Sequence, residues 1–187
     1  MTNYYQDLED VISWSENQTW FKKPLILSGH SLGAFSILFY AENYPSKVFA
    51  LAPISPVVSG KMSVESHKIY EPEEFKKWEE TGWLIKESTS KPGVIKRLPW
   101  SHITDRLKYD LLEKTENLKM PTLLIVGAND TSTPSDHVQV LYKKLPTKNK
   151  ELHIIKNAPH TFRDQKHLDE ILKIFIRWID NLNKSSS

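Results

Sequence analysis

The sequence predicts an α/β protein of three layers, α/β/α, built on a mostly parallel sheet. Short apolar runs at 24–28, 48–52, 122–126 and 151–155 alternate with stretches of helical periodicity, the pattern that generates βαβ units with helices on both faces. Composition agrees, because 187 residues with 39% hydrophobic and 26% charged positions suit one globular domain spanning 1–187.

The elements follow in order. The opening segment sets Tyr4, Leu8, Val11 and Ile12 at helical spacing opposite Asp7 and Asp10, an amphipathic helix. The run 24–28, bounded by Pro24 and Gly29, reads as a buried parallel strand. From Leu32 to about Asn43 apolar residues cover most of a helical circumference, so this helix is expected to be buried, and Pro45 stops it. The strand 48–52 comes next, ended by Pro53 and Pro56.

Between 57 and 103 the alternation breaks, and charged, Trp-containing pieces replace long strands. This stretch reads as a lid insertion, with a short helix at 72–80 and a hairpin pairing 83–86 with 94–98 across Ser90-Lys-Pro-Gly93. Alternation resumes with a helix over about 104–118, the strand 122–126, a helix from about Ser135 to Leu145 and the strand 151–155. The last helix carries an apolar stripe of Leu168, Ile171, Leu172, Phe175, Trp178, Ile179 and Leu182, and the chain ends in a frayed Ser185 to Ser187.

Charge and cysteine content exclude several function classes. Lys and Arg total 25 against 23 Asp and Glu, a net charge of +2 with both signs interspersed, so no nucleic-acid footprint is present. The absence of cysteine removes disulfides, thiolate metal sites and a cysteine nucleophile. No apolar stretch approaches the roughly 18 residues of a membrane span, and the N-terminus lacks a secretory signal. A cytoplasmic protein without membrane attachment is the expectation. No H-E-x-x-H, P-loop or G-x-G-x-x-G pattern occurs and the seven His are scattered, so no cofactor and no metal are expected.

The residues that carry chemistry lie between the strands and the helices that follow them. Gly29-His30-Ser31-Leu32-Gly33 fits G-x-S-x-G at the junction of the first strand and its helix. There a sharp turn exposes the serine hydroxyl at the carboxyl end of the sheet, and the glycines remove side chains that would collide with strand and helix. A serine hydroxyl needs a base, and the base needs an orienting acid. Asp130 stands in the loop after the strand 122–126, and His160 in the loop after the strand 151–155. Carboxyl ends of parallel strands share one edge, so positions 31, 130 and 160 converge.

With these residues the chain resembles the α/β-hydrolase superfamily, in its esterase, acylglycerol lipase and serine aminopeptidase branch. The resemblance rests on the elbow, on Pro121 to Asp130 and on Ala158-Pro-His160, and is vague over 57–103. It implies Ser31 as nucleophile, His160 as general base and then acid, and Asp130 as the carboxylate that orients the imidazole. The implied function is a serine hydrolase cleaving a carboxylic ester, or else an amide or peptide bond, of a small substrate through an acyl-enzyme on Ser31. The alternative is a catalytically impaired fragment or remnant of such a hydrolase that serves as an interaction module.

The resemblance also implies a sheet whose elbow follows its fifth strand, whereas only 30 residues precede Ser31. The chain is therefore expected to be the C-terminal portion of an α/β-hydrolase-like domain lacking the N-terminal strands. The backbone N–H of Leu32 supplies one oxyanion donor, and no loop for a second can be named. The strand 24–28 becomes an exposed apolar edge with weak protection from Lys22 and Lys23, and self-association through that edge is expected.

Other residues read as structural. Asp136 lies within a helix, Asp164 follows His160 too closely, and His137 and His153 fall on a helix and a strand, so solvated or packing roles suit them. His30 carries no assigned chemistry, and Lys143, Lys144, Lys148, Lys150 and Lys156 form a solvated surface. Trp78, Trp83 and Trp100 either pack a lid core or wall an acyl or aromatic pocket.

Overall fold

The computed structural model describes residues 1–88 and 91–185. In chain order the elements are α1 (Thr2–Ser15), β1 (Leu25–His30), α2 (Leu32–Asn43), β2 (Val48–Ile54), α3 (Gly60–Tyr70), α4 (Pro72–Thr81), β3 (Trp83–Glu87), β4 (Ile95–Pro99), α5 (Ser101–Arg106), β5 (Thr122–Gly127), α6 (Ser135–Lys144), β6 (Lys150–Ile155) and α7 (Gln165–Ser185). The strands β1, β2, β5 and β6 form one wholly parallel sheet in the order β1-β2-β5-β6. The hairpin β3–β4 is antiparallel and separate, pairing Trp83 with Pro99 and Glu87 with Ile95. Ser90 of its expected turn, and Ser186 and Ser187 of the expected tail, lie outside the described residues.

Period-two alternation divides the sheet between two cores. Leu51, Leu124 and Val126 point to the side covered by α1, α2 and α6, while Ala50, Ala52, Leu123 and Ile125 meet Ile171, Ile174 and Trp178 of α7 on the other. Three layers follow from that division. Leu123, Leu124 and Ile125 are fully buried, and each contributes roughly 1.5–3 kcal/mol by leaving water. A third core of Val64, Phe75, Trp78, Leu84 and Ile103 sits within the segment between β2 and β5. No helix among the described residues is long and apolar enough to cross a membrane.

Several expectations are corrected. The run at 24–28 is not wholly buried: β1 alternates between half-buried and exposed residues, because Leu25 and Leu27 pack against the first core while Ile26, on the opposite face, is 46% exposed. Pro53 does not end β2, which runs on to Ile54. The amides of Leu51 and Ser55 donate to Pro121 and Ile125 at 2.9 and 2.7 Å, so the proline between them forfeits one rung toward β5 while its neighbours hold the ladder.

Other corrections concern helices. The helix expected over 104–118 is only α5, ending at Arg106, because Asp110 Oδ1 accepts the Leu112 amide and Leu111 N–H donates to Val58 instead of continuing a helix. Tyr4 and Val11 of α1 are exposed, and the buried face runs through Met1, Leu8 and Ile12, with Tyr5 edge-on to Phe39 at 4.8 Å. On α7 the sheet takes Ile171, Ile174, Trp178 and Leu182 and leaves Leu168, Leu172 and Ile179 exposed, since one helix face alone meets the sheet.

The turn after β1 positions the residue of greatest interest. Ser31 sits between strand and helix at φ 57°, a region that side-chain-bearing residues rarely occupy. A Cβ on Gly29 would lie 2.7 Å from the Gly33 carbonyl carbon and oxygen, so the strand can pass this close to α2 only without a side chain. Gly33 differs from the expectation that both glycines avoid collisions, because a Cβ there meets nothing within 4 Å. Gly29→Ala should therefore destabilise by roughly 1–3 kcal/mol, whereas Gly33→Ala, within the first turn of a helix, should be neutral or stabilising. Thermal melts of both variants check this, and equal losses would contradict it.

Glu42 yields a pH prediction. It is buried in α2 with Oε1 lacking a hydrogen-bond partner among the described residues. Burial pushes its carboxyl up to about 8; Lys114 pulls the other way, while Glu116, Asp110 and Glu113 add to the rise. Because the folded value exceeds the unfolded one, stability is full below the unfolded range near pH 4 and declines as pH climbs through about 8. Glu42→Gln should melt higher than the parent at pH 9 and gain little at pH 4. A gain independent of pH would refute the assignment.

Candidate active site

Among the described residues four that are not glycine adopt positive φ: Ser31, Ser55, Asn157 and Phe162, at 57°, 45°, 59° and 43°. Ser31, Ser55 and Asn157 directly follow or nearly follow the carboxyl ends of β1, β2 and β6, and Phe162 lies in the loop beyond β6. Backbone strain is thus gathered at one edge of the sheet, where functional sites of α/β proteins are built. Hydrogen bonds join its loops. Ser31 N–H donates to Ile54 at 3.0 Å, Ala128 N–H to Ile155 at 2.9 Å and Asn129 N–H to Ala158 at 2.9 Å. A Cβ on Gly127 would lie 2.2 Å from the Ala158 carbonyl oxygen, so the Asp130 and His160 loops touch backbone to backbone at that glycine.

At this edge the structure brings Ser31, His160 and Asp130 together. His160 Nε2 lies 3.0 Å from Ser31 Oγ, and His160 Nδ1 lies 2.8 Å from Asp130 Oδ2. The imidazole therefore bridges hydroxyl and carboxylate through its two nitrogens. Asp130 is buried, and burial acts to raise its carboxyl; hydrogen bonds from His160 and the Thr133 amide and the charge of His160 outweigh that, holding it below the ordinary carboxylate range. An ionised Asp130 accepts from the Ser132 and Thr133 amides at 3.0 and 2.8 Å and from Thr133 Oγ1 at 2.8 Å. Such a carboxylate favours the tautomer with hydrogen on Nδ1, leaving Nε2 free to accept from the serine.

Leu32 opens α2, so its amide is among those a helix leaves without an intrahelical acceptor, and it lines the same pocket as Ser31. Asp136, Asp164, His137 and His153 are elsewhere engaged. Asp136 and Asp164 accept the amides of His137 and Lys166, His153 contacts Glu151 at 2.8 Å, and His137 Nε2 faces Ser66 Oγ at 3.4 Å. Lys150 departs from the expected solvated surface by donating to the carbonyls of Tyr142 and Leu145 at the end of α6. Among the described residues no three His, Asp or Glu side chains are grouped to hold a metal ion.

Two positions emerge that the residue pattern had not singled out. Thr133 binds both carboxylate oxygens through amide and hydroxyl, and its hydroxyl also lies 3.3 Å from His160 Nδ1. The Asp130-Thr-Ser-Thr133 spacing of an Asx-type turn is the signal that could have found it. His30, assigned no chemistry, has Nε2 2.8 Å from the His160 carbonyl oxygen, which requires the hydrogen on that nitrogen, and its ring packs 4.7 Å from the His160 ring. Burial lowers His30 from the ordinary imidazole range.

The pocket over Ser31 encloses about 300 Å³. Val57, Ser63, His67, Glu74 and Lys86 come to it from the segment 57–103, and Arg106 from the end of α5. Apart from Leu32 and Val57 its walls are polar or charged. Trp78 and Trp100 belong to the third core, their rings 5.9 Å apart, and none of Trp78, Trp83 and Trp100 lines this pocket. A larger cavity of about 650 Å³ lies against α4 and the hairpin, lined by Trp78, Trp83, Leu84 and Ile85, and it does not reach Ser31.

Comparison with known proteins identifies the family and the fold. Residues 1–165 match the family described as serine aminopeptidase, S33. No curated protein matches the chain. Among solved structures, the chain is similar to α/β-hydrolase domain-containing protein 10 from mouse, at 24% identity and TM-score 0.71 over 93% of this chain and 68% of that one. It is also similar to a monoacylglycerol lipase of Paleococcus ferrophilus, at 22% identity and TM-score 0.67 over 96% and 76% of the two chains. The esterase domain of a Rhodothermus marinus protein matches at 16% identity and TM-score 0.63 over 93% and 67%. The sheet, the helices on its two faces and the family match together place this chain in the serine aminopeptidase S33 family of the α/β-hydrolase superfamily.

Proposed function

We propose that the protein is a serine hydrolase that cleaves a carboxylic ester through an acyl-enzyme on Ser31. The observation that carries this reading is the unbroken line from Ser31 Oγ to His160 Nε2 at 3.0 Å and from His160 Nδ1 to Asp130 Oδ2 at 2.8 Å. A lone serine would be a poor nucleophile at neutral pH; hydrogen-bonded to an oriented imidazole, it can lose its proton as it attacks. The names of a monoacylglycerol lipase and an esterase among proteins of the same fold favour an ester over an amide.

Ser31 Oγ adds to the ester carbonyl carbon while its proton passes to His160 Nε2, and the negative charge that develops on the carbonyl oxygen is received by the Leu32 N–H. Asp130 stays ionised and stabilises the imidazolium. The tetrahedral intermediate expels the alcohol oxygen, which takes the proton from Nε2 and leaves an acyl-serine. Water then gives its proton to Nε2 and adds to the acyl carbon; collapse returns the proton to Ser31 and releases the acid. The segment 57–103 serves as the lid, contributing the wall opposite Ser31.

Hydrolysis of 4-nitrophenyl butyrate tests this reading. The parent should turn over the ester, and Ser31→Ala and His160→Ala should each lower kcat by about 10³-fold or more. Asp130→Asn should lose about 10³–10⁴-fold while keeping the fold, because the amide supports the wrong tautomer. Retention of the parent rate by folded Ser31→Ala would overturn the assignment. Thr133→Val, which removes a hydroxyl donor from Asp130 and no reacting group, should lower kcat by a smaller factor, about tenfold.

A further inference from the structure

The pocket over Ser31 contains a cation, Arg106, that forms no ion pair with a carboxylate among the described residues. Arg106 ends α5, and its guanidinium is held by neutral partners: Nη1 donates to Ser63 Oγ at 3.0 Å and Nη2 to His102 Nε2 at 3.1 Å. Its Nε is buried without a hydrogen-bond partner among the described residues. A guanidinium offers five donor hydrogens, so most of them are unmet by described residues. Charged side chains removed from water are ordinarily paired with a carboxylate, and arginine most often in bidentate fashion.

None of the neighbouring acids pairs with Arg106 among the described residues. Asp105 faces α1, where it accepts the Thr2 N–H at 3.0 Å. Glu74 accepts from Lys86 Nζ at 2.8 and 3.0 Å and from His67 Nε2 at 3.0 Å, and Glu71 lies exposed at the rim. Burial lowers the Arg106 guanidinium from its ordinary range, and no acid raises it. Its backbone is fixed by close packing, since a Cβ on Gly60 of α3 would lie 1.8 Å from the Arg106 carbonyl oxygen.

Resting on the hydrolase reading above, we propose that Arg106 receives a carboxylate carried by the substrate, so that the pocket selects anionic esters such as monoesters of short dicarboxylic acids. The free carboxylate of such a substrate supplies the counter-charge that Arg106 does not find among the described residues, accepting from guanidinium hydrogens that neither Ser63 nor His102 uses. A volume of about 300 Å³ suits a short acyl chain between that carboxylate and the ester carbon at Ser31. A substrate presenting an ammonium group, as a free amino terminus does, would meet like charge at Arg106.

Binding can be tested apart from turnover, by titrating the protein calorimetrically with hexanoate, hexanamide and hexylammonium. The parent should bind the carboxylate at least tenfold tighter than the amide, with the ammonium weakest. Arg106→Gln, shown folded by circular dichroism, should lose the preference, and Arg106→Lys, which keeps the charge without the planar fork, should retain part of it. In turnover, the ratio of kcat/KM for mono-4-nitrophenyl adipate over 4-nitrophenyl hexanoate should fall at least tenfold in Arg106→Gln. Equal binding of carboxylate and amide by the parent overturns the proposal, as does a preference that survives in folded Arg106→Gln. Should Arg106→Gln fail to fold, the parent and Arg106→Lys titrations decide. A carboxylate preference without turnover of either ester upholds Arg106 as the anion site and overturns the hydrolase reading instead.

Discussion

The parallel register of four strands is the constraint on which the rest of the structure depends. His30, Ile54, Ile125 and His153 stand in one row across the sheet, so every loop leaving a carboxyl end begins at nearly the same height. From that row Ser31 is one residue away, Asp130 five and His160 seven, and the two longer excursions are held by backbone hydrogen bonds between them. A contact between positions 31 and 160, so distant in the chain, needs no long-range recognition of its own beyond the pairing of β1 with β2, β5 and β6. The sheet therefore prepays the ordering of the site, and local strain at Ser31, Ser55, Asn157 and Phe162 is tolerated because the ladders behind it are continuous.

How much of this is legible in the sequence depends on whether burial leaves an apolar pattern. The helices α6 and α7 are readable because one face of each meets the sheet and their apolar residues recur accordingly, while the strands of the sheet and α2 are readable as apolar runs stopped by turn residues, β5 being buried throughout and α2 over most of its circumference. The helix α3 is not, since the residues it buries are Gly60, Ser63, Val64 and Ser66; small polar side chains allow the close approach to α5 and leave no apolar stripe. The segment after α5 misleads in the opposite direction, with helical spacing overridden by the Asp110 turn and by the hydrogen bond from Leu111 to Val58. Pro53 looks like a strand end because the rule against proline weighs one missing donor, whereas the strand is held by donors on both sides of it.

The candidate site divides in the same way. Ser31, Asp130 and His160 are legible because strand-to-loop position alone brings them to one edge. The pocket walls are not, because Ser63, His67, Glu74, Lys86 and Arg106 reach the edge through α3, α4, the hairpin and α5, whose placement no periodicity announces. The tryptophans invite an apolar pocket, yet Trp78 and Trp100 are consumed in the core that holds this segment together. What faces Ser31 is charged instead, with Glu74 between Lys86 and His67 and with Arg106 on neutral partners. Electrostatics rather than apolar shape thus distinguishes this pocket, and it arises from the part of the chain least readable by pattern.

The central claim is that the oriented imidazole of His160 makes Ser31 a nucleophile, and covalent capture addresses it most directly. After reaction with a fluorophosphonate, peptide mass spectrometry of the folded protein should find one phosphonyl adduct, on Ser31, formed far more slowly in His160→Ala. An adduct on another serine, or labelling of Ser31 at the same rate without His160, would contradict the account.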